Sequence, residues 1–207
     1  MGFLHLTLIK DKYTKSMSAL ENQITLNTDR MLLKSITPAI INELFKHKNK
    51  DEIMSYFSVD EAGFQPLQSM FEQGMEAYRV TTFYFLLIDK ASSKVLGECG
   101  FHSWNRPHQK AELFYSLRNE TNKRKGYMSE ALETILKYAF TALGLHRVAA
   151  FTSPSNDASI AVLGHFGFSK EGTLREDYLV NGIHEDSICY SLLKWEWEKR
   201  LADESIS

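Results

Sequence analysis

Hydrophobic and polar residues alternate in the middle of the chain as they do in β-strands. Residues 83–88 form an aromatic and aliphatic run, residues 95–104 follow after a polar turn, and residues 111–117 alternate in the same way. Strands joined by short polar connections usually pair as hairpins. An earlier strand is predicted over residues 30–34. These segments predict the middle of a β-sheet.

Helical patterns lie on either side of these strands. Thr37 and Pro38 fit the cap and the first position of a helix, and a second helical region is predicted to start at Pro66. After the strand at 111–117, apolar residues recur at helical spacing up to about Leu143. Gly144 then ends this helix, as glycine commonly does.

The C-terminal part continues the same alternation of strands and helices. A strand is predicted at 147–152, a helix from Asn156 to about Gly167, and two strands that turn at Asn181-Gly182, a strong hairpin signal. A short helix is predicted at 195–201. The order of elements predicts an α/β protein with one mixed, mostly antiparallel sheet and helices on both of its faces.

Length and composition narrow the class of protein. A chain of 207 residues fits one domain, predicted at 24–200, with an N-terminal extension at 1–23 and a tail at 201–207. The extension includes a short predicted strand at 3–9. A net charge of -2 gives no sign of a nucleic-acid partner. No apolar run is long enough to span a membrane, and the N-terminus lacks the basic region of a signal peptide.

The cysteines and histidines argue against metal and disulfide chemistry. Cys99 and Cys189 are far apart and show no zinc-ligand spacing, which fits a reducing cytoplasm. Cys189 lies in an apolar strand without a base beside it in sequence, so we expect a buried core residue. The seven histidines show no HxH or HxxxH spacing, so no metal site is predicted.

One segment carries candidate chemistry. Lys123, Arg124 and Lys125 precede Gly126 where the long helix begins. The first turn of a helix has unpaired N–H groups and partial positive charge, and glycine lets an anion approach the backbone. The segment predicts a site for the phosphates of a small molecule. The alternative is a solvated cluster of cations at an ordinary helix start.

Several motifs occur in order along the chain and together form a recognisable set. They are Thr28-Asp29-Arg30-Met31-Leu32-Leu33-Lys34, Ala111-Glu112-Leu113-Phe114-Tyr115, the basic glycine turn, Asn156-Asp157-Ala158-Ser159 leading to Gly167-Phe168, Glu171-Gly172-Thr173-Leu174-Arg175-Glu176, Asn181-Gly182 and Asp186. With the order of elements, they resemble the GNAT acetyltransferase superfamily over about residues 24–195, and within it the ribosomal-protein N-acetyltransferase branch. The resemblance implies a central sheet that is splayed in the middle.

The resemblance also implies acetyl-CoA as co-substrate, without a metal. The family turn Gln/Arg-x-x-Gly-x-Gly/Ala corresponds to residues 123–128, where Lys123 and Met128 depart from the pattern. Asn156 is implied to bind the pantetheine arm. The implied cofactor-binding residues are Phe114, Tyr115, Leu117, Lys123, Arg124, Lys125, Gly126, Tyr127, Met128 and Asn156.

Two catalytic residues are implied by the same resemblance. Glu112 corresponds to a strand carboxylate that acts as general base, and Glu98 on the neighbouring strand is a second candidate. Either could instead be a solvated strand residue. Leu163 stands where many family members have a tyrosine that assists the departing thiolate, so Ser159 is expected to take that role. Its alternative is an ordinary residue of the first helical turn.

The resemblance favours the N-terminal α-amine of a protein, such as a ribosomal protein, as the acceptor. A small-molecule amine such as an aminoglycoside or a polyamine is the alternative within enzymes. A non-catalytic acyl-CoA-binding sensor is the alternative outside enzymes. No nucleic acid or membrane partner is expected, and the resemblance allows a homodimer. His102 and Trp104, at the end of a strand, are expected near the acceptor opening, with packing as their default role.

Overall fold

A computed structural model describes residues 23–75 and 81–204 of the chain. Within these residues, eight strands form one open sheet and six α-helices pack around it. The strands are β1 (Thr25–Asn27), β2 (Met31–Ile36), β3 (Thr81–Asp89), β4 (Val95–Asn105), β5 (Lys110–Leu117), β6 (Arg147–Thr152), β7 (Ser169–Val180) and β8 (Ile183–Leu193). The helices are α1 (Pro38–His47), α2 (Lys50–Phe57), α3 (Glu61–Gln73), α4 (Tyr127–Thr141), α5 (Asp157–His165) and α6 (Lys194–Glu204).

The sheet is mixed, mostly antiparallel and splayed at its centre, as predicted. Its strand order is β1-β2-β3-β4-β5-β6-β8-β7, and only β5 and β6 are parallel neighbours. These two strands pair from Lys110 with Arg147 to Glu112 with Ala149. Beyond Glu112 they separate, although β5 continues to Leu117. The separation leaves a gap in the middle of the sheet.

Helices cover both faces of the sheet because apolar residues of the central strands point alternately to two cores. Phe85 and Leu87 of β3 belong to a core that also contains the apolar stripe of α4. Tyr84 and Leu86 belong to a second core, with the buried residues of α1, α2 and α3. Trp197 of α6 joins the first core. This arrangement confirms the predicted architecture.

Most predicted elements agree with the structure to within a few residues. The Thr37 side chain caps α1 by accepting the N–H of Ile40, and Asn181 and Gly182 both have positive φ in the hairpin between β7 and β8. The helix predicted to run to Leu143 ends at Thr141. The strand predicted at 3–9 lies outside the described residues.

One helix was given the wrong start and another was missed, and in both a capping side chain precedes the helix. Pro66 lies inside α3 and does not start it, since Asp60 caps that helix by accepting the N–H of Gly63 at 3.0 Å. Helix α2 was missed, although Asn49 and Glu52 form a reciprocal capping box at its start. In both helices the capping residue precedes the apolar residues whose spacing indicates a helix. The short strand β1 was also missed.

A salt bridge connects the three C-terminal strands of the sheet. Arg147 of β6 donates to Glu171 of β7 at 2.6 Å, and the Ser191 hydroxyl of β8 donates to the same carboxylate at 2.7 Å. The hydrogen bonds from Arg147, then from Ser191, lower the pKa of Glu171 to about 2. Glu171 is therefore ionised wherever the protein is near neutral pH.

We expect Glu171→Gln to destabilise the fold slightly near neutral pH. The pKa of Glu171 is lowered in the folded state, so its contribution is present above the unfolded pKa of about 4.5 and is lost as the pH falls towards 2. Because the pair is partly exposed, the loss should be about 1 kcal/mol or less. Urea unfolding at pH 7 and at pH 2.5 measures it. An equal difference between wild type and variant at both pH values would contradict this assignment.

Candidate functional site

A cavity of about 740 Å³ opens where β5 and β6 have separated. Its walls come from the end of β5, the turn before α4, and the start of α5. The lining residues are Tyr115, Ser116, Leu117, Glu120, Lys123, Arg124, Met128, Asn156, Ala158, Ser159 and Val162. The end of β5 and the turn that follows it, together with the distant start of α5, thus line a single cavity, and each was predicted to hold part of one ligand.

The turn before α4 has the backbone conformation that an anion site needs. Arg124 and Gly126 both have positive φ, +59° and +77°, so the chain reverses sharply before the helix starts. Gly126 is the N-cap of α4 and carries no capping side chain, which leaves N–H groups of the first turn available to a ligand. Lys123 lines the cavity and pairs with Glu120 at 2.5 Å. Lys125, Gly126 and Tyr127 belong to the turn but do not line the cavity.

Met128 and Leu163, the two departures from the family pattern, are accommodated by the core. Leu163 is fully buried in the core beneath the cavity. Met128 is 9% exposed and belongs to the same core, although part of it reaches the cavity wall. The bulk of the methionine is therefore mostly removed from the turn where phosphates were predicted.

Ser159 and Asn156 lie together at the start of α5. The Asn156 side chain accepts the N–H of Ser159 at 3.0 Å, so it caps the helix as well as lining the cavity. The Ser159 hydroxyl lies 2.6 Å from the Tyr115 hydroxyl, across the cavity on β5. Burial raises the pKa of Tyr115, and the hydrogen bond to Ser159 only partly opposes that rise. Tyr115 therefore remains a neutral phenol near pH 7.

The Tyr115–Ser159 contact was missed in the sequence, where Tyr115 was predicted only to bind the cofactor. Phe114, the neighbouring predicted cofactor residue, does not line the cavity. Because side chains alternate along a strand, Phe114 points to the opposite face of β5 and stacks on His102 with ring centroids 5.6 Å apart. Its contribution to the cavity side of the gap is limited to its backbone.

Glu112 lies on the same face of β5 as Phe114, at the last pair before β5 and β6 separate. Its carboxylate is 3.2 Å from Nε2 of His102. Burial raises the pKa of Glu112, the charge of His102 opposes this, and the charge of Asp177 raises it further. Sequence reasoning placed His102 near the acceptor opening but missed its pairing with Glu112. The cross-strand register of β4 and β5 was the missing information.

Glu98, the second candidate base, has a different environment. Its carboxylate accepts a hydrogen bond from Arg118 at 2.7 Å, and both side chains are largely buried. In the register of β4 and β5, Glu98 lies opposite Ser116, whereas His102 lies opposite Glu112. Four residues of strand, roughly 13 Å, therefore separate the two carboxylates.

Cysteine and metal chemistry find little support in the described residues. Cys99 is buried, but Cys189 is only partly buried, contrary to prediction, and its thiol faces the Glu171 carboxylate at 3.8 Å. Burial and then the Glu171 charge raise the pKa of Cys189, which keeps the thiol protonated. Residues 23–75 and 81–204 contain no group of three or more potential metal ligands. Among the same residues, no helix is long and apolar enough to cross a membrane.

Comparison with known proteins identifies the family. Residues 30–169 match the model of the acetyltransferase (GNAT) domain. The chain belongs to the GNAT acetyltransferase family. An uncharacterized N-acetyltransferase of Bacillus subtilis, YoaA, is 32% identical over 82% of this chain and 96% of its own length. This GNAT protein is therefore an acyltransferase of the N-acetyltransferase type, and the family implies acetyl-CoA as its co-substrate.

Other proteins that this GNAT enzyme resembles are named for different amines. The ribosomal protein uS5-alanine N-acetyltransferase of Escherichia coli is 29% identical over 72% of this chain and 73% of its own length. The solved structure of the spermidine/spermine N-acetyltransferase SpeG from Vibrio cholerae superposes with a TM-score of 0.63. It is 21% identical and covers 83% of this chain and 96% of its own, a likeness of fold alone.

Proposed function

We propose that this GNAT enzyme transfers the acetyl group of acetyl-CoA to the N-terminal α-amine of a protein, with ribosomal proteins as the first candidates. The gap between β5 and β6 is the observation that best supports this chemistry. Ser159 lies on one face of the sheet at this gap and Glu112 on the other. The similarity to the uS5-alanine N-acetyltransferase supports the acceptor class.

The donor is proposed to lie in the gap. The edge of β5 from residue 113 to Leu117 has no strand pairing on the β6 side, so the pantetheine amides can pair with it as an added strand does. Asn156 would contact the arm from α5. The phosphates would lie at the turn 124–128, where the positive φ of Gly126 exposes N–H groups. The cavity between these two regions fits an extended ligand with one anionic end.

The chemistry follows from the two faces of the sheet. Glu112 takes a proton from the acceptor ammonium, directly or through one water, because only the free amine has a lone pair. The amine nitrogen attacks the thioester carbon, and backbone N–H groups near Phe114 stabilise the oxyanion. When the C–S bond breaks, its electron pair stays on sulfur. Ser159 then donates a hydrogen bond to the departing thiolate. The second proton of the amine nitrogen passes through water to the thiolate, so the products are the neutral amide and the CoA thiol.

A small cationic amine is the second candidate acceptor. Asp177 is close enough to Glu112 for its charge to raise the pKa of Glu112, so a second negative charge lies near the proposed base. A polyamine would be attracted by these charges. This candidate shares the donor site and the chemistry with the first and differs only in the acceptor.

Thiol release from acetyl-CoA distinguishes the candidates. The purified protein is incubated with peptides that have free N-termini, the same peptides with blocked N-termini and one lysine, and spermidine. We expect turnover with the free N-termini alone. Turnover with spermidine alone would support the second candidate. Binding of CoA without turnover on any amine would support a non-catalytic acyl-CoA sensor.

We expect Ser159→Ala to slow the chemical step by about ten- to a hundredfold, because a neutral donor to the thiolate strengthens as charge develops. CoA affinity should change little. Ser159→Thr keeps a hydroxyl and should retain more activity. Ser155→Ala is the control, because Ser155 is an exposed serine in the turn just before α5. Single-turnover kinetics measure the step. Full activity of Ser159→Ala would leave Ser159 as a residue of the helix start only.

A further inference from the structure

The motif at the first strand, Thr28-Asp29-Arg30, contacts the turn before α4. The Arg30 guanidinium donates to the carbonyl oxygen of Lys125 at 2.9 Å and lies 4.3 Å from the centroid of the Tyr127 ring. Its Nη2 would be 3.4 Å from a Cβ built on Gly126. Arg30 therefore lies directly behind the turn that is proposed to hold phosphates.

Arg30 also binds a carboxylate in the first turn of α4. Its Nε donates to Glu130 at 2.6 Å, and its backbone N–H donates to the other oxygen of that carboxylate at 2.7 Å. The Thr28 hydroxyl donates to the same oxygen as the backbone N–H. The Arg30 backbone is itself fixed, because its carbonyl accepts the N–H of Lys90 at 3.0 Å. Thr28 and Arg30 lie in the turn between β1 and β2, so this one turn binds the Glu130 carboxylate through three hydrogen bonds.

Glu130 is ionised near neutral pH. Burial alone would raise its pKa, but the hydrogen bonds from Thr28 and Arg30 outweigh burial and lower it. A carboxylate in the first turn of a helix interacts favourably with the partial positive charge at the helix N-terminus. The same charge repels an anionic ligand that approaches the N–H groups of that turn. The helix thus carries, at its own anion site, a negative charge that requires neutralisation.

We propose that Arg30 is a positioning residue for the diphosphate of acetyl-CoA, because it neutralises Glu130 and holds the Lys125 carbonyl on the side of the turn away from the ligand. The proposal rests on the proposed cofactor site. Phosphates then meet N–H groups and cations instead of a carboxylate. The N-terminal strands β1 and β2 become part of the cofactor site without contacting the ligand.

Calorimetric titration with CoA and with pantetheine, which lacks the phosphates, tests this role. Removing the cation in Arg30→Ala should weaken CoA binding by about tenfold and leave pantetheine binding unchanged within about twofold. Glu130→Gln in the same chain removes the repelling charge. The double variant Arg30→Ala/Glu130→Gln should therefore bind CoA within about threefold of wild type.

Arg200→Ala is the matched control, because Arg200 pairs with Glu133 of the same helix at 3.1 Å, one turn beyond Glu130. It should bind CoA as wild type does. Melting curves of all variants show that they are folded. Unchanged CoA affinity in Arg30→Ala would overturn the proposal, and so would a double variant as weak as the single one or an equal loss of pantetheine binding. Failure of the wild type to bind CoA would instead overturn the proposed function.

Discussion

Gly126→Glu is expected to abolish measurable CoA binding while the protein remains folded. A Cβ at Gly126, where φ is +77°, would lie 3.4 Å from Nη2 of Arg30, so the new carboxylate would compete with Glu130 for this cation beside the turn that receives the phosphates. The added negative charge and the loss of the glycine conformation at the turn both act against an anion. Calorimetry with CoA measures binding, and circular dichroism and a melting curve report the fold.

Gly144→Glu provides the matched control at the other end of the same helix. Gly144 also has positive φ, +66°, and a Cβ built there meets no atom within 4 Å. The two substitutions therefore cost similar backbone strain and add the same charge, but only Gly126 lies at the proposed phosphate site. Wild-type CoA affinity in a folded Gly126→Glu variant would show that the phosphates bind elsewhere. Equal loss in both variants would point to strain of the fold.

The fold was largely predictable because most of its elements carry their own local signals. The strand at Arg147–Thr152 was predicted to the residue, and the Asn181-Gly182 turn has the left-handed backbone that its sequence favours. Errors arose where a polar cap preceded weak apolar spacing, as at Asp60 before Pro66. The splay between β5 and β6 is a long-range property, and only the family resemblance indicated it.

The sequence indicated several residues of the cavity but none of their contacts. Lys123, Met128 and Ser159 were assigned from family positions, and the structure places all three at one cavity. The pairs Tyr115–Ser159, Glu112–His102 and Arg30–Glu130 each join elements that are distant in sequence or depend on strand register. Neither the spacing of residues nor secondary-structure propensity contains that information. The sequence therefore could not show which partner each of these residues contacts.

Glu112→Gln is expected to lower the acetylation rate at neutral pH by roughly 100-fold or more, with little change in CoA affinity. The amide keeps the size of the side chain but removes the proton acceptor from the face opposite Ser159. Glu98→Gln is the matched control, because Glu98 is a carboxylate of the neighbouring strand that pairs with Arg118. Loss of activity in Glu98→Gln with full activity in Glu112→Gln would reverse the assignment.

The pH dependence gives a sharper test of the same base. Glu112 accepts a proton only when ionised, so the rate should fall as the pH drops through its pKa, which burial raises above 4.5. The charge of His102 lowers that pKa and the charge of Asp177 raises it. Hence His102→Gln should move the acidic limb of the rate profile to higher pH, and Asp177→Asn should move it to lower pH. Shifts in the same direction, or a limb that persists in Glu112→Gln, would mean that another group takes the proton.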